Sequence, residues 1–193
     1  MRFSHVALCV GAVTSAGWAQ QRAKETIISD PAAANWVFDG KPKVKPVDAA
    51  GVPGGKALLV TVGAKGANPW DIQARMPLKQ GVAVGDTITF GFYARAEKPD
   101  PGQDVAAVTV RLQRAAAPYD AALEGPLRIG KEWTFHCLTG VSTLALDGAA
   151  AEVSVQIAGD KHAIAFGPWM ATRIPGGGAA GKTTLPCGKG IGA

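Results

Sequence analysis

The stretch Thr87-Ile88-Thr89-Phe90-Gly91-Phe92-Tyr93-Ala94-Arg95-Ala96 decides the fold class. Ile88, Phe90, Phe92 and Ala94 share one parity, and Thr89, Gly91, Tyr93 and Arg95 share the other. Successive side chains of a strand point to opposite faces, so the stretch predicts a β-strand with one apolar and one polar face. A helix cannot gather those four apolar residues on one side, because steps of two residues advance about 200° around a 3.6-residue turn. Gly85-Asp86, just ahead, supplies the turn that feeds the strand.

The same period recurs outward from this point. Val108, Val110 and Leu112 oppose Thr109, Arg111 and Gln113 within a run from Val105 to Arg114. Ile72, Ala74 and Met76 oppose Asp71, Gln73 and Arg75 within a run from Trp70 to Met76. Val153, Val155 and Ile157 oppose Ser154 and Gln156. Further β-like runs cover Ala57 to Val62, a short Leu127 to Ile129, Glu132 to Leu138, Ala163 to Phe166 and Trp169 to Ile174. In the Glu132 run, Trp133 alternates with Phe135 and Cys137, which predicts those three on the core side and His136 opposite them. Lys41-Pro42-Lys43-Val44-Lys45 reads as a solvated loop or an edge strand. Helical periodicity is nearly absent, and the Ala-rich Arg114 to Leu123, broken by Pro118, reads as a loop. Many short strands between Gly- and Pro-rich turns predict an all-β, two-sheet sandwich over residues 20–174.

The termini fall outside that domain. Arg2, the apolar run Val6 to Val13 and the small residues of Gly17-Trp18-Ala19 predict an export signal over residues 1–19, cleaved after Ala19; a buried first strand is the alternative. The run is too short to span a bilayer, and no other segment is long enough. This points to a secreted or periplasmic bacterial protein. Cleavage removes Cys9 and leaves Cys137 and Cys187, which either pair as one disulfide or stay as two thiols. Residues 175–193 form a Gly-rich tail. Of 193 residues, 47% are hydrophobic, enough for a core, and the net charge of +5 is dispersed, so no basic run marks a nucleic-acid partner.

The polar strand faces are unusual. Lys and Glu dominate ordinary solvent faces, but here Gln73, Arg75, Tyr93, Arg95, Arg111, Gln113 and Gln156 occupy them. Amides and guanidinium forks present several donors or acceptors in fixed geometry, which suits sugar hydroxyls. An aromatic ring offers a platform for the C–H face of a pyranose. An ordinary solvated sheet with cross-strand polar pairs is the competing reading. The arginines on such a face hint at an acidic glycan.

Four segments carry a family resemblance: Asn68-Pro69-Trp70-Asp71-Ile72-Gln73, the Gly85-Asp86 turn, Thr87 to Ala96, and Glu132-Trp133-Thr134-Phe135. Together they resemble the carbohydrate-binding modules of the CenC type, families 4 and 9, over roughly Asp30 to Ile174. The resemblance implies a jelly-roll sandwich with a glycan groove across its concave sheet, often appended to glycoside hydrolases acting on plant polysaccharides. Carried over by position, it points to Trp70, Gln73, Tyr93, Arg95, Arg111, Gln113 and His136 as sugar contacts. Strict alternation puts Trp70 with Ile72 and Ala74 in the core; a strand starting later makes it a platform. Many relatives hold a structural calcium through a late Asp. The corresponding Phe166-Gly167-Pro168-Trp169-Met170 lacks it, so no metal and no other cofactor is expected.

Other motifs fail on context. Gly176-Gly177-Gly178-Ala179-Ala180-Gly181-Lys182-Thr183 matches a phosphate loop by letter, but Pro186 and the end of the chain leave no room for the helix that loop needs. Gly140-Val141-Ser142-Thr143-Leu144 lacks the last glycine of a nucleophile elbow. Asp71, Glu124, Glu132, Asp147 and Glu152 could serve a glycosidase, yet none sits in a recognisable motif. The expectation is therefore a non-catalytic polysaccharide- or oligosaccharide-binding module. A small β-sandwich glycan hydrolase or lyase and a structural or adhesion domain are the alternatives.

Overall fold

In the computed structural model, residues 24–30 and 36–176 are described. The expected leader (1–19), Cys9, Cys187 and the tail beyond Gly176 lie outside them. Among the described residues there is no α-helix, and none is long and apolar enough to cross a membrane. The strands are β1 (Thr26–Ile27), β2 (Val37–Asp39), β3 (Lys43–Asp48), β4 (Lys56–Thr61), β5 (Gln73–Pro77), β6 (Thr87–Lys98), β7 (Ala106–Arg114), β8 (Ala121–Ile129), β9 (Thr134–Val141), β10 (Ala151–Gln156) and β11 (Ala163–Ile174).

They form two antiparallel sheets, the jelly-roll sandwich expected. One runs β3-β4-β11-β6-β9, with β1 added against β11; the other runs β2-β5-β10-β7-β8. The parity read from β6 faces the core as expected: Ile88, Phe90, Phe92 and Ala94 are buried against Ala74, Met76, Val108, Val110, Leu112, Val153 and Val155 of the facing sheet. Burying a Phe or Leu side chain stabilises by about 1.5–3 kcal/mol, so this interdigitated layer is what holds the two sheets together. Trp36 closes it at one side. Its ring meets Phe92 edge-on at 5.4 Å, and its Nε1–H donates to the Gly167 carbonyl at 2.8 Å.

Four local expectations change. Trp70 is not in a strand: Pro69–Asp71 is a 3-10 turn and β5 starts at Gln73. Pro69 presets the turn, while the Asp71 carboxylate accepts the Asn68 backbone N–H at 2.9 Å, closing a capping box. Second, β8 starts at Ala121, well before the expected Leu127, and confines the loop to residues 115–120. Gly125-Pro126 looked like a breaker, but β8 is an edge strand, where Pro is tolerated. Third, the two expected final strands are one β11, bulged between Phe166 and Trp169. The Lys43 segment resolves as an edge strand, β3.

The fourth change reverses a face. Tyr93 pairs with Phe135 and Phe92 with His136. Paired residues share a side, so Phe135 and Cys137 lie on the outer face with Tyr93, and His136 turns inward, its ring 6.3 Å from Phe92. Gly91 permits this, since a Cβ there would sit 2.4 Å from Phe135 Cζ. Alternation had the right period in β9 but the wrong side.

Candidate functional site

The sheet β2-β5-β10-β7-β8 carries on its outer face the residues whose parity opposes the core. Register aligns them in rows: Asp39, Gln73, Gln156 and Thr109; then Arg75, Ser154, Arg111 and Glu124; then Glu152 and Gln113. Outer faces are normally wet, yet Gln113, Glu152, Ser154 and Gln156 are all 5% exposed or less. Burying polar groups is costly unless they are hydrogen-bonded, and Glu152, Ser154 and the Gln113 amide nitrogen are.

Glu152 is the hub of the floor. It accepts from Arg75 Nη1 at 2.8 Å and from Gln113 Nε2 at 3.0 Å. Arg75 also bonds Asp39 through Nη2 at 3.1 Å. Burial works against the Arg75 charge, but the bonds it donates to Asp39 and Glu152 outweigh it and raise its pKa above the usual guanidinium value. Ser154 Oγ donates to Gln73 Oε1. Arg111 Nε donates to Glu124 at 2.8 Å, and its Nη2 donates to the Tyr119 carbonyl at 3.1 Å. Gln113 Oε1 is left as a buried acceptor without a protein partner. Such a group calls for a water or a ligand hydroxyl.

Two aromatics rise beside this floor. Trp70, on the 3-10 turn before β5, is 53% exposed, and Tyr119, on the β7–β8 connection, is 49% exposed. They are the only aromatic side chains among the described residues that stand so far out. Trp70 and Tyr119, with Gln73, Arg111, Gln113 and Gln156, line a cavity of about 340 Å³. That volume is at the small end of the range for ligand sites.

Of the seven residues singled out from sequence, the structure brings Trp70, Gln73, Arg111 and Gln113 together here. It separates the other three. Tyr93 and Arg95 lie on β6, in the opposite sheet. Tyr93 packs edge-on against Phe135 at 5.1 Å, and Arg95 lies 5.1 Å over the Trp133 ring and pairs with Glu97. His136 faces the core; burial lowers its pKa, only partly countered by the Ala94 backbone. The arginines behind the hint of an acidic ligand do not share one face. Arg95 is on the wrong sheet, and Arg75 and Arg111 are each spent on carboxylates.

Sequence reading did not single out Tyr119, gave Glu152 only as a candidate hydrolase carboxylate, and put Gln156 on the polar face without naming it a sugar contact. Tyr119 sits in a loop, where no periodicity assigns a face. Glu152 joins the site only through the β10 register. The described residues hold no cluster of three His, Cys, Asp or Glu side chains placed to bind a metal. Cys137 is disulfide-bonded, and its expected partner Cys187 lies outside the described residues.

No family model and no curated protein matches this sequence. Solved structures do match in shape. The second N-terminal cellulose-binding domain of Cellulomonas fimi β-1,4-glucanase C aligns at 20% identity and a TM-score of 0.52, covering 80% of this chain and 96% of that one. The CBM22-1 xylan-binding domain of Paenibacillus barcinonensis Xyn10C aligns at 11% identity and a TM-score of 0.51, covering 81% and 99%. An arabinose-bound GH51 α-L-arabinofuranosidase aligns at 18% identity and a TM-score of 0.55; 80% of this chain matches 26% of that one, so the chain spans about a quarter of its length. The two-sheet sandwich described above is thus the fold that these carbohydrate-binding modules share.

Proposed function

We propose that this protein is a secreted, non-catalytic module that binds neutral polysaccharide in the groove between Trp70 and Tyr119. The observation that carries this reading is the pair of exposed rings over a polar floor in which Gln73, Gln113, Glu152 and Ser154 are tied together by hydrogen bonds. Exposed aromatics are costly to leave in water and suit the C–H faces of sugar rings. The floor is held in place before any ligand arrives, so binding need not order it. Among the described residues that line the groove and its floor, the arginines are paired with carboxylates, which favours a neutral chain over a uronic acid. The fold shared with domains described as cellulose-binding and xylan-binding points the same way.

Export rests on the predicted leader and on the disulfide at Cys137, since disulfides persist in oxidising compartments. Cys187 is its proposed partner. The non-catalytic reading rests on the groove carboxylates. Glycoside hydrolysis needs two carboxyl groups free to donate and accept protons. Asp39, Glu124 and Glu152 instead accept bonds from Arg75, Arg111 and Gln113.

Affinity electrophoresis of the chain from Gln20 onward tests this, with soluble xylan and hydroxyethylcellulose as neutral polymers and polygalacturonate as the acidic one. Retardation by a neutral polymer and not by polygalacturonate is expected. No retardation by any polymer would overturn the reading. Release of reducing ends would transfer the groove, with Glu152 at its floor, to a hydrolase.

A further inference from the structure

We infer that Arg111 is a positioning residue: with Glu124 it forms a bracket that holds the Tyr119 ring upright as the second wall of the groove. The inference rests on the glycan-binding reading for its purpose, though not for its geometry. Sequence reading gave Arg111 the role of a sugar contact. The structure gives its donors other work.

Arg111 is on β7 and Glu124 is its direct cross-strand neighbour on β8. Nε donates to Glu124 Oε2 at 2.8 Å, and Nη2 reaches out of the sheet to the Tyr119 carbonyl at 3.1 Å. A guanidinium is planar, so fixing Nε on Glu124 also fixes the direction in which Nη2 points. The acceptor at the far end needs holding. Tyr119 has φ of 59°, in the left-handed region that a residue with a Cβ avoids. Its other local support is one backbone bond, from its own N–H to the Ala116 carbonyl at 3.0 Å. Relaxation of that φ to the ordinary region would rotate the carbonyl off Arg111 and swing the ring away from Trp70. The bracket opposes that rotation. It also explains why this arginine does not confer a preference for anionic ligands, because its charge is shared between Glu124 and a carbonyl dipole.

Lysine cannot replace this device, since an ammonium carries no rigid fork to couple the two acceptors. Glu124→Gln keeps an acceptor oxygen for Nε and should keep the bracket; Glu124→Ala removes it from the other end.

Two readouts test the bracket. In the ligand-free protein, nitrogen-15 relaxation of the Tyr119 amide should give an order parameter near 0.85 in the wild type and in Glu124→Gln. It should fall below about 0.6 in Arg111→Ala, Arg111→Lys and Glu124→Ala. An unchanged Tyr119 amide in all of these variants would overturn the inference, and this readout stands whether or not a glycan binds. The second is a double-mutant cycle read by calorimetry with xylohexaose and cellohexaose as probes. Arg111→Ala and Tyr119→Ala should each weaken binding by about tenfold or more, and the double variant should be no weaker than Tyr119→Ala within about twofold. A double variant weakened by the product of the two single effects would show that Arg111 contacts sugar directly, and would overturn the positioning role. If the wild type binds neither probe, the proposed function fails, and the relaxation result decides the bracket alone.

Discussion

The two outer faces of this sandwich use the same residue types for opposite ends. On the β6–β9 side, Tyr93 and Phe135 are borne on strands, so they lie along the sheet and meet at 5.1 Å, with Phe135 covering Gly91. Arg95 sits over the Trp133 ring, and Ala49, Val52 and Ala57 pack beneath Tyr93 and Trp133 as a small second core. On the β5–β10–β7 side, the aromatics are borne on connections, Trp70 on a 3-10 turn and Tyr119 on a loop, so they stand off the sheet and leave the floor between them open. Rings on neighbouring strands tile a face and stabilise it. Rings on the connections wall a cleft and leave its floor to a ligand.

Substitutions should separate these roles. The largest expected effect is that of Trp70→Ala: a loss of about 2 kcal/mol or more in glycan binding, as for an exposed hot-spot aromatic. Its melting temperature should be nearly unchanged, because the ring is half in solvent. Phe135→Ala should show the mirror image, with affinity retained and stability lowered by about 2 kcal/mol, since its ring fills the space over Gly91 and against Tyr93. Calorimetric titration and thermal melts on both variants check the pair. Loss of binding in Phe135→Ala with an intact fold would put the ligand on the wrong face.

A smaller effect is expected at the floor. Glu152→Gln removes the charge that Arg75 and Gln113 share. It should lower stability by about 1–3 kcal/mol, the cost of stranding a buried partner, and weaken binding less than Trp70→Ala does. Urea titration together with calorimetry reads both.

The pH dependence should be smaller still, and should act on the fold and not on the groove. Burial lowers the pKa of His136, partly offset by the Ala94 backbone, and that of His162, partly offset by the Ile157 backbone, Asp160 and Asp100. A histidine with a lowered folded pKa binds fewer protons folded than unfolded. Stability is therefore retained above the unfolded value near 6.5 and is lost as pH falls through it toward the folded pKa. Melting temperature should drop by a few degrees between neutral pH and mildly acid pH, and His162→Asn should flatten the slope. A melting temperature that rises on acidification would contradict the burial of these rings.

The parts of the molecule legible in the sequence are those governed by a period. The β6 parity, the core residues of β7 and β10, and the polar set Gln73, Arg75, Arg111, Gln113 and Gln156 all follow from alternation alone. What alternation could not supply is which sheet a strand joins. That placed Tyr93 and Arg95 beside Gln73 on paper, whereas β6 pairs with β9 and β11. It also could not set the phase of β9, where Trp133, Phe135 and Cys137 looked like core because they are apolar. Phe135 and Cys137 instead cover Gly91 on the far face, and Trp133 packs against Ala49, Val52 and Ala57. Tyr119 was invisible for a third reason: its direction comes from a positive φ and a carbonyl bond to a strand arginine, neither of which has a local signature.

The central claim is that one face, and only one, binds glycan. The most direct measurement is amide and indole chemical-shift mapping of the chain from Gln20 onward, titrated with xylohexaose and with cellohexaose. Shifts concentrated on the Trp70 indole, Gln73, Gln113, Gln156 and Tyr119, with Tyr93, Arg95, Trp133 and Phe135 still, are the result predicted. Shifts centred on Tyr93, Trp133 and Phe135, or none anywhere with either sugar, would contradict it.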